Sequence, residues 1–169
     1  MNDDTAANDA YLAALRILNY RFNSEAELRR KLARKQFESA VIDDTIERLR
    51  SEKWLDDERF AGALVRTRAN KRHGKLRILR ELQAAGVEGD TARSAVEQNL
   101  DEDAQLAALR ELATKRARLL ARRHGQEFLA SAEGRNKLTG YLLKQGYDAA
   151  LIRSLIGDVV KEILVAQYQ

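Results

Sequence analysis

Residues 54–87 read WLDDERFAGALVRTRANKRHGKLRILRELQAAGV, and the punctuation of this stretch decides the fold. Trp54-Leu55-Asp56-Asp57-Glu58-Arg59-Phe60-Ala61 reads as a helix entrance. Asp56 or Asp57 can cap the free backbone N–H groups of the first turn, and Glu58 adds negative charge where the helix dipole favours it. Phe60 and Leu64, one turn apart, fall on a core face. From Ala61 to Arg80 there is no acid but there are seven bases: Arg66, Arg68, Lys71, Arg72, Lys75, Arg77 and Arg80. Gly74 breaks the basic arm, and a second helix runs on to Gly86. The same pattern recurs, weaker, on both sides.

The bulk composition agrees with a helical reading. Of 169 residues, Ala and Leu supply 50, against 20 for Val, Ile and Thr together, which favours helix over strand. There is no proline, so the nine glycines and the side-chain caps must end the helices. The predicted fold class is all-α. Cysteine is absent, which excludes a disulfide frame, a thiolate metal site and a cysteine nucleophile. The acidic segment Met1–Thr5 precedes no apolar run of signal-peptide or membrane length, so a cytoplasmic protein with no membrane partner is expected. The net charge of +4 hides an alternation. A +7 block at 61–80 and a +5 block at 104–137 are set off by −2 at 51–60 and −6 at 81–103. Such blocks suit an acidic protein surface or nucleic acid met by chosen faces.

Taken in order, residues 1–9 are polar and read as a flexible N-terminus. Tyr11, Leu15, Leu18 and Phe22 then form one apolar helical stripe. Ser24-Glu25-Ala26-Glu27 is a capping box, with Ser24 capping the Glu27 N–H and Glu27 reaching back. The helix after it carries Leu28 and Leu32 inward, and Arg29, Arg30, Lys31, Arg34 and Lys35 outward. A third helix shows Ile42, Ile46 and Leu49. Leu28–Leu32 aligns with Ile78–Leu82 and with Leu138–Leu142, and these are followed by Gln36-Phe37, Gly86-Val87 and Gly146-Tyr147. Three tandem three-helix repeats are therefore predicted, over 10–52, 53–100 and 101–169, stacked as an elongated array, straight or curved. The third holds about ten extra residues, read as a loop near 123–134 marked by Gly125 and Gly134. Its first helix, Asp101 to Arg123, is expected to bury Leu106, Leu109, Ala113 and Leu120. Lys115, Arg118 and Arg122 then line an exposed face. The last helix, with Ile152, Ile156, Val159 and Ile163, reads as a closing cap.

No catalytic constellation emerges. His73 and His124 lack partners for metal ligation, and Asp56-Asp57-Glu58 is better explained by capping than by a divalent ion. No glycine-rich phosphate loop carries a lysine. The expectation is a non-enzyme without cofactor or metal. The live signal is the basic residues: Arg29, Arg30, Lys31, Arg34 and Lys35; Arg66, Arg68, Lys71, Arg72, Lys75, Arg77 and Arg80; and Lys115, Arg118, Arg122 and Arg123. On one face they would suit a phosphate backbone or a protein carrying acids, whereas singly each block simply solvates its helix. No aromatics interleave with them, which argues against stacking on single-stranded bases.

Four clusters together resemble the RecX family of bacterial recombination regulators, in order and spacing over about residues 10–165. They are Ser24–Leu32, Trp54–Ala61, Arg77–Leu82 with Gly86-Val87, and Lys137–Leu142 running to Gly146-Tyr147. Trp54 stands where the family usually has tyrosine, and Lys75 follows Gly74 where a proline is common. The resemblance implies a modulator of the RecA recombinase; a monomer is expected. Such a protein lies in the groove of the RecA–single-stranded DNA filament and lowers its extension, ATP hydrolysis and strand exchange. Its partners would be the filament and single-stranded DNA, with double-stranded DNA open to the same phosphate contacts. The rival readings are a helical DNA-binding protein that competes with RecA for DNA, and a structural adaptor for an unrelated protein.

Overall fold

A computed structural model describes residues 3–165, and among them it holds ten α-helices and no strand. They are α1 (Asp3–Tyr20), α2 (Glu25–Arg34), α3 (Ser39–Ser51), α4 (Asp57–Asn70), α5 (Lys75–Ala85), α6 (Gly89–Asn99), α7 (Glu102–His124), α8 (Gln126–Ala130), α9 (Ala132–Lys144) and α10 (Ala149–Val165). In a chain without proline, side chains start them. Ser24 Oγ accepts from Glu27 N (3.1 Å), Asp56 Oδ1 from Arg59 N (2.9 Å), Asp101 Oδ1 from Ala104 N (2.9 Å) and Ser131 Oγ from Gly134 N (3.1 Å).

The endings repeat. α2, α5 and α9 close on Gln36, Gly86 and Gly146, with φ of +66°, +84° and +89°. The next N–H reaches back to a carbonyl one turn inside the helix: Phe37 to Leu32 (3.5 Å), Val87 to Leu82 (3.1 Å) and Tyr147 to Leu142 (3.3 Å). These are three Schellman closures at the offsets of 50 and 60 residues seen in the sequence. Leu28, Ile78 and Leu138 are fully buried at equivalent places, as are Leu32, Leu82 and Leu142.

The chain divides into two compact units. One comprises residues 1–64 and 81–98, the other residues 65–80 and 99–169, so α4 and α5 contribute to both. In the first unit Ala13, Ala14, Leu28, Leu32, Ile42, Ile46, Leu49 and Leu55 form the core. There the start of α2 docks on the α5–α6 turn: Ser24 Oγ donates to Ala85 O (2.6 Å), and a Cβ on Gly86 would stand 2.3 Å from Ala26 Cβ. In the second unit α7, α9 and α10 enclose Leu109, Ala113, Leu138, Leu142, Tyr147, Ile152 and Val159. The start of α5 docks on the α9–α10 turn in the same way. Gly74 N donates to Gln145 O (2.8 Å) and Leu76 N to Gly146 O (3.0 Å). A Cβ on Gly74 would sit 2.3 Å from the Gly146 carbonyl carbon, and one on Gly146 would sit 2.3 Å from Arg77 Cβ.

Several expectations need correction. Of residues 1–9, read as flexible, 1–2 lie outside the described residues and 3–9 are helical from Asp3, in keeping with the helix propensity of Ala6, Ala7 and Ala10. The loop near 123–134 contains the short helix α8, and Gly134 lies inside α9. Gly134 is there for closeness rather than for a turn, since a Cβ on it would meet Phe128 O at 2.0 Å. On α7 the buried stripe starts at Gln105 and runs through Leu109, Ala113, Ala117 and Leu120, while Leu106 is exposed. Gln105 is buried because its Nε2 donates to His73 O (3.2 Å). Phe22 lies beyond the end of α1 and is 52% exposed, and Trp54 is 59% exposed. The capping box is half made, because Glu27 turns to Arg21 (3.0 Å) instead of reaching back.

The glycine contacts predict opposite outcomes for alanine. Gly146→Ala combines a left-handed φ with a backbone clash and should lower stability by about 2 kcal/mol or more. Gly157→Ala, inside α10 with nothing within 4 Å of the new methyl, should raise it by roughly 0.5–1 kcal/mol. Urea midpoints decide; an unaltered midpoint for Gly146→Ala would mean that the docked turn is not tight.

Candidate basic interaction surface

Because Leu28 and Leu32 point inward, α2 turns its bases outward, but the fold engages most of them. Arg29 donates through Nε to Glu25 Oε1 (3.0 Å) and pairs with Asp43. Arg50 pairs with the other oxygen of Glu25. Burial pushes the Glu25 carboxyl up, yet the hydrogen bonds from Arg29 and Arg50 outweigh it and hold it below its ordinary value. Arg30 Nη2 reaches the carbonyls of Ala84 and Ala85 (both 3.3 Å), which lack a backbone partner within α5. Lys31 Nζ donates to Asn23 Oδ1 (2.5 Å), and burial, then the charge of Arg21, push its ammonium down. Arg34 and Lys35 are exposed, and no ion pair or hydrogen bond among the described residues holds their side chains.

The start of α2 is also tied from a distance. Asp57 Oδ1 accepts from Glu25 N (2.8 Å), and burial pushes the Asp57 carboxyl up. Of the two aspartates that the sequence offered as caps, Asp56 caps α4 and Asp57 serves α2 instead. No local signal reveals this, since the two residues are 32 apart.

The second and third basic blocks lie in the same unit, and the structure brings them together. Arg72 closes α4 with a φ of +57°, and its Nη2 meets Glu111 Oε2 on α7 at 2.8 Å. The Arg72 carbonyl accepts from Tyr147 Oη (3.0 Å), a buried phenol pushed up to about 12, so the donor persists across the ordinary pH range. Glu111, Lys115, Arg118 and Arg122 then follow along one face of α7 around a shallow depression of about 770 Å³, with Leu119 exposed among them. Arg122 and Arg123 also lie in the last turn, where the helix dipole favours cations. Arg66 donates to Asn99 Oδ1 (2.5 Å), Arg77 to Gln145 Oε1 (3.1 Å) and Arg80 to Leu76 O (3.2 Å), while Arg68 is half-buried and engaged. Lys71, Lys75, Lys115, Arg118, Arg122 and Arg123 are exposed without such partners among the described residues. His124 rests against the Phe128 ring at 4.8 Å. No group of three His, Asp or Glu side chains that could hold a metal ion gathers among the described residues, and none of their helices is long and apolar enough to cross a membrane.

Comparison with known proteins places the chain. Residues 10–49 match the first three-helix domain of RecX, and residues 56–96 the second. A regulatory protein RecX from Clostridium acetobutylicum is 32% identical over 165 residues, covering 95% of this chain and 73% of that protein. The chain belongs to the RecX family. A Xanthomonas oryzae pv. oryzae RecX is 33% identical over 142 residues, covering 83% of this chain and 82% of its own length. The Oceanobacillus iheyensis RecX is 31% identical over 148 residues, but the match spans only 52% of it, so the chain corresponds to about half of that relative. The crystal structure of RecX from Lactobacillus salivarius shares the fold, with a TM-score of 0.78 over 92% of this chain and 97% of that one, at 23% identity. On this RecX frame the Arg29–Lys35 block falls in the first matched domain and the Arg66–Arg80 block in the second. Lys115–Arg123 lies beyond both.

The Glu25 cluster predicts a pH signature. With its folded carboxyl held below the ordinary 4.5, Glu25 contributes stability above that pH and loses it as pH falls further. Glu25→Gln should therefore be less stable than the parent at pH 7, by roughly 1 kcal/mol since both arginines are partly solvated, and the gap should close towards pH 3. Melts of the two proteins across pH test this, and a gap that persists at pH 3 would assign the effect to packing.

Proposed function

We propose that this chain is a non-enzymatic negative modulator of the RecA recombinase. It binds the RecA–single-stranded DNA filament along its groove and limits extension, ATP hydrolysis and strand exchange. It acts in the cytoplasm as a monomer built of three three-helix modules, the third beginning near residue 101. Its relatives are named regulatory proteins, and a regulator of a polymer needs contact surface rather than a catalytic centre.

The observation that carries the reading is the cationic strip of the second unit. The Arg72–Glu111 pair joins the α4 arm to α7, and Lys115, Arg118 and Arg122 continue from it as charges that no ion pair or hydrogen bond among the described residues consumes. Lys71 after α4, Lys75 at the start of α5 and Arg123 at the end of α7 add to it, and Arg34 and Lys35 offer a second contact from the other unit. Their targets are phosphates of single- or double-stranded DNA, acids on the recombinase, or both. Several weak contacts in one chain raise each other's effective concentration on a repetitive polymer, so few molecules suffice. The bases already paired, Arg29, Arg30, Lys31, Arg66, Arg68, Arg72, Arg77 and Arg80, chiefly hold the modules that present the others.

Two measurements test this. The ATPase rate of preformed RecA filaments on single-stranded DNA should fall with this protein well below one per recombinase subunit. A rate unaltered until the protein saturates the strand would favour plain competition for DNA, which carries a steep salt slope of roughly one log unit per phosphate contacted. The triple reversal Lys115→Glu, Arg118→Glu, Arg122→Glu should melt within a few degrees of the parent yet lose at least about ten-fold in inhibitory potency. Full inhibition by that variant would remove the α7 strip from the interface.

A further inference from the structure

The first unit holds an aromatic notch that the basic blocks do not include. Trp54, the only tryptophan, is 59% exposed, and Phe22 is 52% exposed across a depression of about 700 Å³. The position of Trp54 makes its exposure informative. Its N–H donates to Leu49 O (2.9 Å), which makes it the residue just past the Schellman turn of α3, set by Lys53 at a φ of +60°. That residue commonly packs back on its helix. Here Val87 and Tyr147 do so at the ends of α5 and α9, with 5% and 1% exposure, while Trp54 is held by its backbone and leaves its ring in solvent. Three cations surround the rings. Arg16 and Lys53 line the notch, and the Arg59 guanidinium lies 4.9 Å from the Phe22 centroid. Among the described residues that line the notch the one acid is Glu52, and it is already engaged by the Tyr11 hydroxyl and by Arg48 (2.9 Å).

Open ring faces among cations with a neutralised acid match an anionic ligand that also carries flat apolar surface. We propose that this notch is a nucleobase-stacking site for single-stranded nucleic acid, with a base lying on Trp54 and the flanking phosphates met by Arg16, Lys53 and Arg59. An acidic peptide meets the charge but leaves the tryptophan face unused, and a duplex keeps its bases inside the helix. Stacking on an aromatic side chain is tolerant of sequence, so the site binds strands rather than motifs. The inference goes beyond the proposed action on RecA and is independent of it, because bare strand is the ligand and no recombinase is needed.

The single tryptophan reports directly. The full chain is titrated with an oligothymidylate of about ten nucleotides, a length within the range one small domain covers, and indole emission is followed. Saturable quenching by this strand, and none by an abasic strand of equal length, is the expected result. Trp54→Ala and Phe22→Ala, which remove exposed rings and should melt with the parent, are each expected to weaken binding of a labelled strand about five-fold or more. Equal quenching by the abasic strand would reduce the site to a phosphate contact and overturn stacking. Unaltered affinity in both ring variants would do the same. Quenching by a glutamate-rich peptide but not by the strand would reassign the notch to a protein partner. Emission that shifts with protein concentration alone would reassign it to a second copy.

Discussion

The fold depends on two places where the start of one helix packs against the backbone of a glycine turn. At the α9–α10 turn the start of α5 approaches so closely that neither Gly74 nor Gly146 has room for a methyl group, and two main-chain hydrogen bonds cross the contact. At the α5–α6 turn Gly86 admits Ala26, and the Ser24 hydroxyl takes the part that the Gly74 N–H plays in the other unit. Schellman turns suit this use. The closing residue sits at positive φ, so the turn presents a flat edge and an outward carbonyl to a neighbouring helix start. Helix starts in turn carry unsatisfied N–H groups, and at the α9–α10 turn those of Gly74 and Leu76 meet the carbonyls of Gln145 and Gly146. Apolar burial supplies most of the stability, but these contacts fix which residues meet.

The charges follow from the same geometry. Docked turns expose carbonyls, and Arg30 is placed to take two of them, at Ala84 and Ala85, while Arg77 takes the side chain of Gln145. A base count therefore overstates the surface available to a partner. A cation that shares its hydrogen bonds with the fold costs stability when removed, and its loss of function cannot be separated from loss of structure. Lys115, Arg118 and Arg122 differ, since α7 keeps its buried face on Leu109, Ala113 and Ala117 whatever they become. The distinction between scaffold and contact lies in the second partner of each guanidinium, which helical periodicity does not encode.

What was legible in the sequence was periodic or local. The Ser24 cap, the Leu28–Ile78–Leu138 alignment and the three turn positions are read within a few residues, and the structure repeats them. The misreadings concern glycine and aromatics, whose roles depend on distant neighbours. Gly134 looked like a loop mark, yet it is a close-approach residue inside α9. Phe22 completed a stripe by spacing, but α1 ends at Tyr20, and the chain turns before the ring can join the core. Asp57 looked like a local cap and instead holds a backbone N–H in another helix. Each failure is a long-range contact written over a local propensity.

Trp54 and Tyr147 show how far position alone falls short. Both follow a Schellman turn, and both are large aromatics. Tyr147 has a buried polar partner in the Arg72 carbonyl for its hydroxyl, which makes burial of the whole side chain tolerable. Trp54 stands at the end of α3, beside a notch where Arg16, Lys53 and Arg59 interrupt the apolar side chains of Leu15, Leu18 and Phe22, and more than half of its surface stays open. A tryptophan there gains little from burial and so contributes little to holding the unit together. In a chain with 6% aromatics, a ring kept in the open beside three cations is better explained by something it meets than by the fold that carries it.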